Sequence, residues 1–186
     1  MVDEKIVELY WQRDERAIRE TRMKYGRYCY SIAYNILHNT EDAQECENDT
    51  YLGAWNSMPP QRPSLLSSFL GAISRRVSLD RWRRKNAAKR GGGETAISLT
   101  ELEECIPSGK SIEESVDTAR LAELISLFLQ TLPEDESMVF LRRYWYFDSI
   151  DMIRKRFGYG ESKVKMILFR TRQKLLERLE KEGVFV

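Results

Sequence analysis

Apolar residues recur at helical spacing along most of the chain. Between Lys5 and Asn39 they repeat three and four residues apart, as at Tyr25, Tyr28 and Ile32. This spacing predicts amphipathic helices, each with one face turned toward a core. The alternation typical of a β-strand is nowhere sustained, so the pattern predicts an all-α fold.

Polar and proline residues mark where the helices of the first half begin and end. Asn39 and Thr40 form a break and an N-cap, acidic residues follow in the first turn, and a helix continues to about Asn56. The stretch 57–64 contains three prolines and cannot be helix interior, so it is predicted to be a shaped loop. A further helix is predicted from about residue 65 to residue 89.

A glycine triplet at 91–93 ends that helix, and the next 25 or so residues have many glutamates and little periodicity. An unstructured stretch of this length is uncommon inside one compact domain. We therefore predict two small helical domains, 1–92 and 118–186, joined by a flexible acidic linker at 93–117.

Helical patterning resumes near Asp117, and Pro133 with three acidic residues begins another helix. Ser149 is predicted to cap a short helix at 150–157, Gly158–Gly160 to form a turn, and residues 161–182 to form a long helix. This arrangement is typical of a helix-turn-helix, although a plain helical hairpin has the same pattern.

Within the long helix, one set of residues is predicted to face the core, and a set of cations is predicted to lie outside it. The core set is Val164, Leu168, Thr171 and Leu175, and the cations are Lys163, Lys165, Arg170, Arg172 and Lys174. A basic outer face is suited to contact with phosphates.

The near-neutral formal charge of +1 conceals blocks of opposite sign. Residues 64–93 hold eight basic and one acidic side chain, residues 94–123 hold two and eight, and residues 154–186 hold ten and four. Two basic segments separated by an acidic one indicate two contacts with a polyanion, with solvated helix faces as the alternative.

The first basic segment combines cations with aromatic residues directly after the proline-containing loop. Neutralised phosphates and a stacking surface are how opened DNA is held. For Phe69 and Trp82 core packing is an equal alternative, and for Trp55 core packing is preferred. The cations are Arg75, Arg76, Arg81, Arg83 and Arg84.

Three acidic residues, Asp42, Glu45 and Asp49, follow one another at i, i+3 and i+7 on one helix face. Paired carboxylates could indicate a metal-dependent hydrolase or nuclease. His38 is the sole histidine, and no phosphate loop or nucleophile motif is present. We therefore prefer an exposed acidic docking strip and expect no catalytic residues, metal or cofactor.

Cysteine usage and hydropathy indicate where the protein acts. Cys29, Cys46 and Cys105 are widely separated and show no Cys-x-x-Cys spacing, so we expect buried thiols rather than a disulfide or zinc site. No run of about 18 apolar residues exists. We expect a soluble, cytoplasmic protein without stable membrane insertion.

The segment Asp42-Ala43-Gln44-Glu45, followed by Tyr51 and Ala54-Trp55, resembles the core-polymerase-binding helix of extracytoplasmic-function sigma factors in the sigma-70 family. Residues 69–84 resemble the helix that meets the minus-10 promoter element, with Phe69 where the family often has Trp and Arg76 where it often has Asn. The second domain resembles the minus-35-binding domain, with Met166 and Ile167 where Ser and Arg are frequent.

The resemblance implies a region 2-like helical bundle and a region 4-like helix-turn-helix domain in a sigma factor that directs core RNA polymerase to promoter DNA. It implies docking through the acidic strip and, commonly, control by an anti-sigma factor. The implied minus-10 contacts are Gln61, Arg62, Ser64, Phe69, Arg75, Arg76, Arg81, Trp82, Arg83 and Arg84. The implied minus-35 contacts are Glu161, Ser162, Lys163, Lys165, Met166 and Arg170.

The alternative from another class is a stand-alone helix-turn-helix regulator, which would need neither polymerase nor opened DNA. It predicts a dimer interface and palindromic sites. The sequence shows no obvious apolar dimerisation face, and the acidic strip would have no role in such a protein.

Overall fold

A computed structural model describes residues 1–86, 93–103 and 114–182, and within these ranges the secondary structure consists of nine helices without a strand. The all-α prediction is confirmed. The chain divides into two compact units, Met1–Gly91 and Gly92–Val186.

The first unit contains α1 (Asp3–Trp11), α2 (Arg16–Leu37), α3 (Thr40–Ser57) and α4 (Leu66–Asn86). The helical stretch expected from Lys5 to Asn39 is two helices, because the chain turns after Trp11 with Arg13 in the left-handed region (φ 56°). The predicted end of α4 near residue 89 lies outside the described residues.

The core of the first unit lies where α2 packs on α3 and α4, with α1 added on one side. Ile6, Tyr10, Cys29 and Leu70 are fully buried there. A Cβ on Gly53 would lie 2.8 Å from Ile73 Cγ2, so glycine permits the close approach of α3 and α4. Burial of Cys29 and Cys46 is as expected, and Cys105 lies outside the described residues.

The predicted helix caps of both units are confirmed. The Asn39 side chain accepts a hydrogen bond from the backbone N–H of Asp42 at 2.9 Å and so begins α3. Ser149 accepts from the N–H of Met152 at 3.2 Å and so begins the eighth helix. Gly158 ends that helix in the left-handed region at φ 66°, where glycine costs least.

The second unit contains α5 (Gly93–Glu103), α6 (Glu114–Gln130), α7 (Glu134–Tyr144), α8 (Ile150–Phe157) and α9 (Glu161–Lys181). The predicted core stripe of α9 is buried against the other helices. Fully buried Val139 and Ile153 complete the centre of this core.

Helix α5 lies in the segment that the sequence predicts to be linker. Thr95 and Ser98 are buried and Leu102 packs against the core of the second unit. The two buried positions hold small polar residues and Leu102 is only partly buried, so hydrophobic periodicity could not reveal this helix. Helix α6 also begins earlier than expected, at Glu114. The remaining linker positions, 104–113, lie outside the described residues.

Candidate functional site

Asp42 is buried rather than exposed, which corrects the expectation of a continuous exposed acidic strip. Its side chain is 13% exposed and binds Arg81 Nη1 at 3.1 Å and Lys85 Nζ. The hydrogen bond from Lys85 lowers the pKa of Asp42. The carboxylate therefore joins α3 to α4, and Asp42→Arg would place a third cation beside two others.

Glu45 and Asp49 remain exposed on α3, and Glu45 also forms an ion pair with Arg81. Leu52 continues the same line at i+7 from Glu45 and is 56% exposed. The exposed α3 face, defined as Glu45, Asp49 and Leu52, thus combines acidic and apolar surface. Sequence patterning missed Leu52 because it was assigned to neither the acidic strip nor the core stripe.

The cations of α4 differ in their exposure to solvent and in their ion pairs. Arg81 forms ion pairs with Asp42 and Glu45, and the hydrogen bond to Glu45 raises the pKa of Arg81. Burial lowers the pKa of Arg75 to about 10, so this guanidinium belongs to the packing of α4. Arg76, Arg83 and Arg84 are exposed, and these three are named the open cations of α4; Arg83 also lies 3.7 Å from Asp80.

The aromatic residues next to these cations are half-buried. Phe69 packs against the core of the first unit, and Trp82 is likewise neither fully buried nor fully exposed. Trp55 packs against the same core, with Tyr10 6.2 Å away ring to ring, in agreement with the preferred core assignment. Phe69 and Trp82 keep part of their surface accessible to a ligand.

Helix α1 holds the proline-containing loop in place. Trp11 Nε1 donates to the carbonyl of Gln61 at 3.2 Å, and Arg62 pairs with Glu8 at 2.7 Å while lying over the Trp11 ring. Gln61 and Ser64 are exposed. Apolar spacing predicted helix in this segment, but no signal in the sequence indicated that it would contact the loop.

A small cavity of about 140 Å³ lies between α1 and this loop. Arg62, Pro63 and Ser64 line its loop side, and Asp3 and Glu4 line its α1 side. Asp3 is itself bound to Lys24 and Tyr25, and these hydrogen bonds lower its pKa against the opposing effect of burial. The loop therefore borders a polar cavity whose carboxylates can accept hydrogen bonds.

In the second unit, the predicted contact residues of α9 are all exposed. Lys165 pairs with Glu161 at 2.6 Å, and this hydrogen bond lowers the pKa of Glu161. Lys163 Nζ lies 3.4 Å from the centre of the Tyr159 ring, whose hydroxyl is 2.8 Å from Asp135. The exposed residues are Glu161, Ser162, Lys163, Lys165, Met166 and Arg170.

Two cations expected on the outer face of α9 instead bind within the unit. Arg172 has a side chain only 13% exposed and donates to the Tyr144 hydroxyl at 2.6 Å. Glu101 of α5 lies 3.6 Å from Arg172 and 3.0 Å from the Tyr144 hydroxyl. Lys174 pairs with Glu136 at 3.3 Å. Both positions lie off the core stripe, but neighbouring helices cover Arg172, whereas Lys174 stays exposed and is paired on the surface.

No cluster of three or more His, Cys, Asp or Glu side chains suited to a metal ion occurs among the described residues. Within those ranges there is also no helix with the length and hydropathy needed to cross a membrane. Among the described acidic residues of α3, Asp42 and Glu45 pair with cations of α4.

The first unit thus has an acidic and apolar face on α3 and exposed cations on α4, and the second unit has exposed cations on α9. Residues 22–88 match the Sigma-70 region 2 family model. The match covers about a third of the chain and spans most of α2 with all of α3 and α4. A comparison with curated proteins gives no significant match.

The match supports a sigma factor of the sigma-70 family, with a role in RNA polymerase binding and promoter melting. It points to a regulator without catalysis of its own. The exposed α3 face and the open cations of α4 both lie inside the matched residues.

Proposed function

We propose that the chain is a sigma factor of the extracytoplasmic-function type that acts in the cytoplasm, where it binds core RNA polymerase and directs it to promoters. The single observation that carries this proposal is the region 2 match over residues 22–88. The chemistry of synthesis belongs to the polymerase, and the chain supplies binding and positioning. An anti-sigma factor is an expectation of the family resemblance only.

The proposed polymerase contact is the exposed α3 face. Asp42 is removed from this contact because it is bound to Arg81 and Lys85. Glu45 and Asp49 offer charge, and Leu52 offers an apolar group that becomes buried on binding. An apolar anchor within a charged rim is a common composition for a protein interface.

The proposed minus-10 contact combines the loop, the cavity beside it and the open cations of α4. A flipped base leaves the stack at a cost of a few kcal/mol, which contacts in a cavity and to the backbone must offset. Arg76, Arg83 and Arg84 are placed to neutralise phosphates, and Phe69 and Trp82 keep accessible ring surface. Arg75 and Arg81 act through the packing of α4.

The proposed minus-35 contact is the N-terminal half of α9, acting as the second helix of a helix-turn-helix. Such helices place their first residues against base edges in the major groove. Exposed Lys163, Lys165 and Arg170 favour this assignment. The α8–α9 pair would also serve a stand-alone DNA-binding regulator, and such a protein would bind its sites without polymerase.

Run-off transcription with purified core polymerase on genomic fragments tests the proposal. We expect specific transcripts that require the chain. Asp49→Arg should abolish co-purification with core polymerase and these transcripts, because it reverses charge on the exposed α3 face. The matched control Glu123→Arg changes an exposed acid in the second unit and should leave both intact.

Specific DNA binding by the chain alone, with no polymerase-dependent transcript, would favour the stand-alone regulator. Normal polymerase binding by Asp49→Arg would remove the docking assignment of α3.

A further inference from the structure

The outward face of α9 has an unusual composition. Moving two positions along a helix turns about 200° around it, so the residues two positions before the core stripe lie directly opposite the core. Those four residues are Ser162, Met166, Phe169 and Gln173. All four are exposed. The outermost line of this helix therefore has two large apolar side chains at its centre.

Met166 is 50% exposed and Phe169 is 55% exposed. As i and i+3 neighbours they form one continuous apolar strip on the helix surface. Cations border the strip, with Lys163 and Arg170 on one side and Lys165 on the other. The strip is defined here as the apolar α9 strip.

The bordering cations indicate what covers this strip. An apolar protein surface would have to desolvate Lys163, Arg170 and the Lys165–Glu161 ion pair to reach the strip, which is costly without matching polar groups. Duplex DNA offers phosphates to the cations on both sides and base edges between them. The charge pattern around the strip therefore favours the major groove as its occupant.

The major groove contains one exposed apolar group, the C5 methyl of thymine. We propose that Met166, supported by Phe169, contacts thymine methyl groups in the upstream promoter element and so makes that element thymine-dependent. This inference rests on the proposed minus-35 role of α9. Met166 is the sixth residue of α9, within the part of such a helix that meets base edges.

Replacing thymine by uracil removes only the C5 methyl, so it tests this contact directly. Holoenzyme is assembled from the full chain and core polymerase on a promoter found by run-off transcription. Each thymine of the upstream element is replaced in turn by uracil, and promoter affinity is measured. We expect about fourfold weaker binding at one or two positions, the factor for one buried methyl group.

Protein variants then assign the methyl contact to the apolar α9 strip. With Met166→Ala, the thymine and uracil promoters should bind equally well at the sensitive position nearest Met166. The matched control Met138→Ala removes another exposed methionine of the same unit, 39% exposed on α7, and should retain the uracil effect. Thermal unfolding of both variants should match the unsubstituted chain.

The proposal is overturned if the upstream element contains no thymine, if no position responds to uracil, or if the response at every sensitive position persists in Met166→Ala. Met166→Ala could also weaken binding to the thymine and uracil templates by the same factor, so that the ratio between them stays at the parent value. That result also overturns the proposal. Failure of the proposed function is a separate result, in which no genomic fragment is transcribed or bound by the assembled holoenzyme.

Discussion

Individual side chains in the first unit show how burial changes the role of a charged group. Asp42, Glu45 and Asp49 share helical spacing, yet Asp42 bonds to two cations of α4 while Asp49 is exposed. Arg75 and Arg76 are neighbours in sequence, and burial lowers the pKa of Arg75 to about 10 while Arg76 is exposed. The sequence pattern had assigned Asp42 and Asp49 the same role, and likewise Arg75 and Arg76.

Asp42→Ala should destabilise the chain by about 1 kcal/mol at pH 7, because Arg81 and Lys85 lose a mostly buried partner. The lowered pKa of Asp42 sets the pH dependence. This stabilisation is present above the unfolded pKa of about 3.9 and is lost as the pH falls through the folded pKa. Urea unfolding at pH 7 and pH 3 should show a smaller difference between variant and parent at pH 3.

Asp49→Ala is the control for this experiment, because Asp49 is exposed on the same helix. Its unfolding free energy should stay within about 0.5 kcal/mol of the parent value. Equal destabilisation by both substitutions would contradict the special position of Asp42.

Some elements of the fold are set by residues within one turn, whereas the loop between α3 and α4 is held by residues distant in sequence. Local signals placed the caps of α3 and α8 correctly, because a cap requires only residues within one turn. Helix α5 gave no such signal, since its buried positions Thr95 and Ser98 are small and polar. The loop after α3 is held by Trp11 and Glu8 of α1, some 50 residues away in sequence.

Replacing loop residues 61–65 by a Gly/Ser segment of equal length should block promoter opening while leaving polymerase binding intact. Leu66 is fully buried and must be kept. The cavity wall and the Arg62 contacts are lost, whereas the exposed α3 face and α9 are unchanged. Permanganate footprinting of the assembled holoenzyme measures the opening.

On a promoter already mismatched around the minus-10 element, the cost of unpairing is removed in advance, so much of the activity should return. The same footprint on matched and mismatched templates provides the comparison. Opening of the fully paired promoter at the parent level would show that the loop has no part in melting.

Among the described residues, exposed cations occur both on α4 and on the outer face of α9. The near-neutral total conceals this arrangement. In the proposed function both surfaces meet the same polyanion, so promoter affinity should depend strongly on salt concentration.

Lys163→Ala should weaken promoter binding by the holoenzyme and lower its log–log salt slope by about one, the change for one lost phosphate contact. Lys181→Ala removes an exposed cation from the far end of α9 and should leave the slope unchanged. Affinities measured between low and moderate salt give both slopes. Identical slopes for Lys163→Ala and the parent would place Lys163 away from phosphates.

Local sequence determined the helical class, the caps at Asn39 and Ser149, the proline loop and the core stripe of α9. Each of these depends on contacts within a few residues or on the period of one helix, so the linear pattern contains the information. The blocks of charge and the resemblance of residues 42–84 to sigma factors were likewise visible without a structure.

Tertiary structure alone decided which charged groups face outward. Asp42 meets Arg81 about 40 residues later, and Glu101 meets Tyr144 and Arg172 from a segment expected to be linker. The exposure of Leu52 and of Phe169 likewise depends on which neighbouring helices cover them. Burial and pairing arise from contacts between elements distant in sequence, and periodicity within one helix does not encode them.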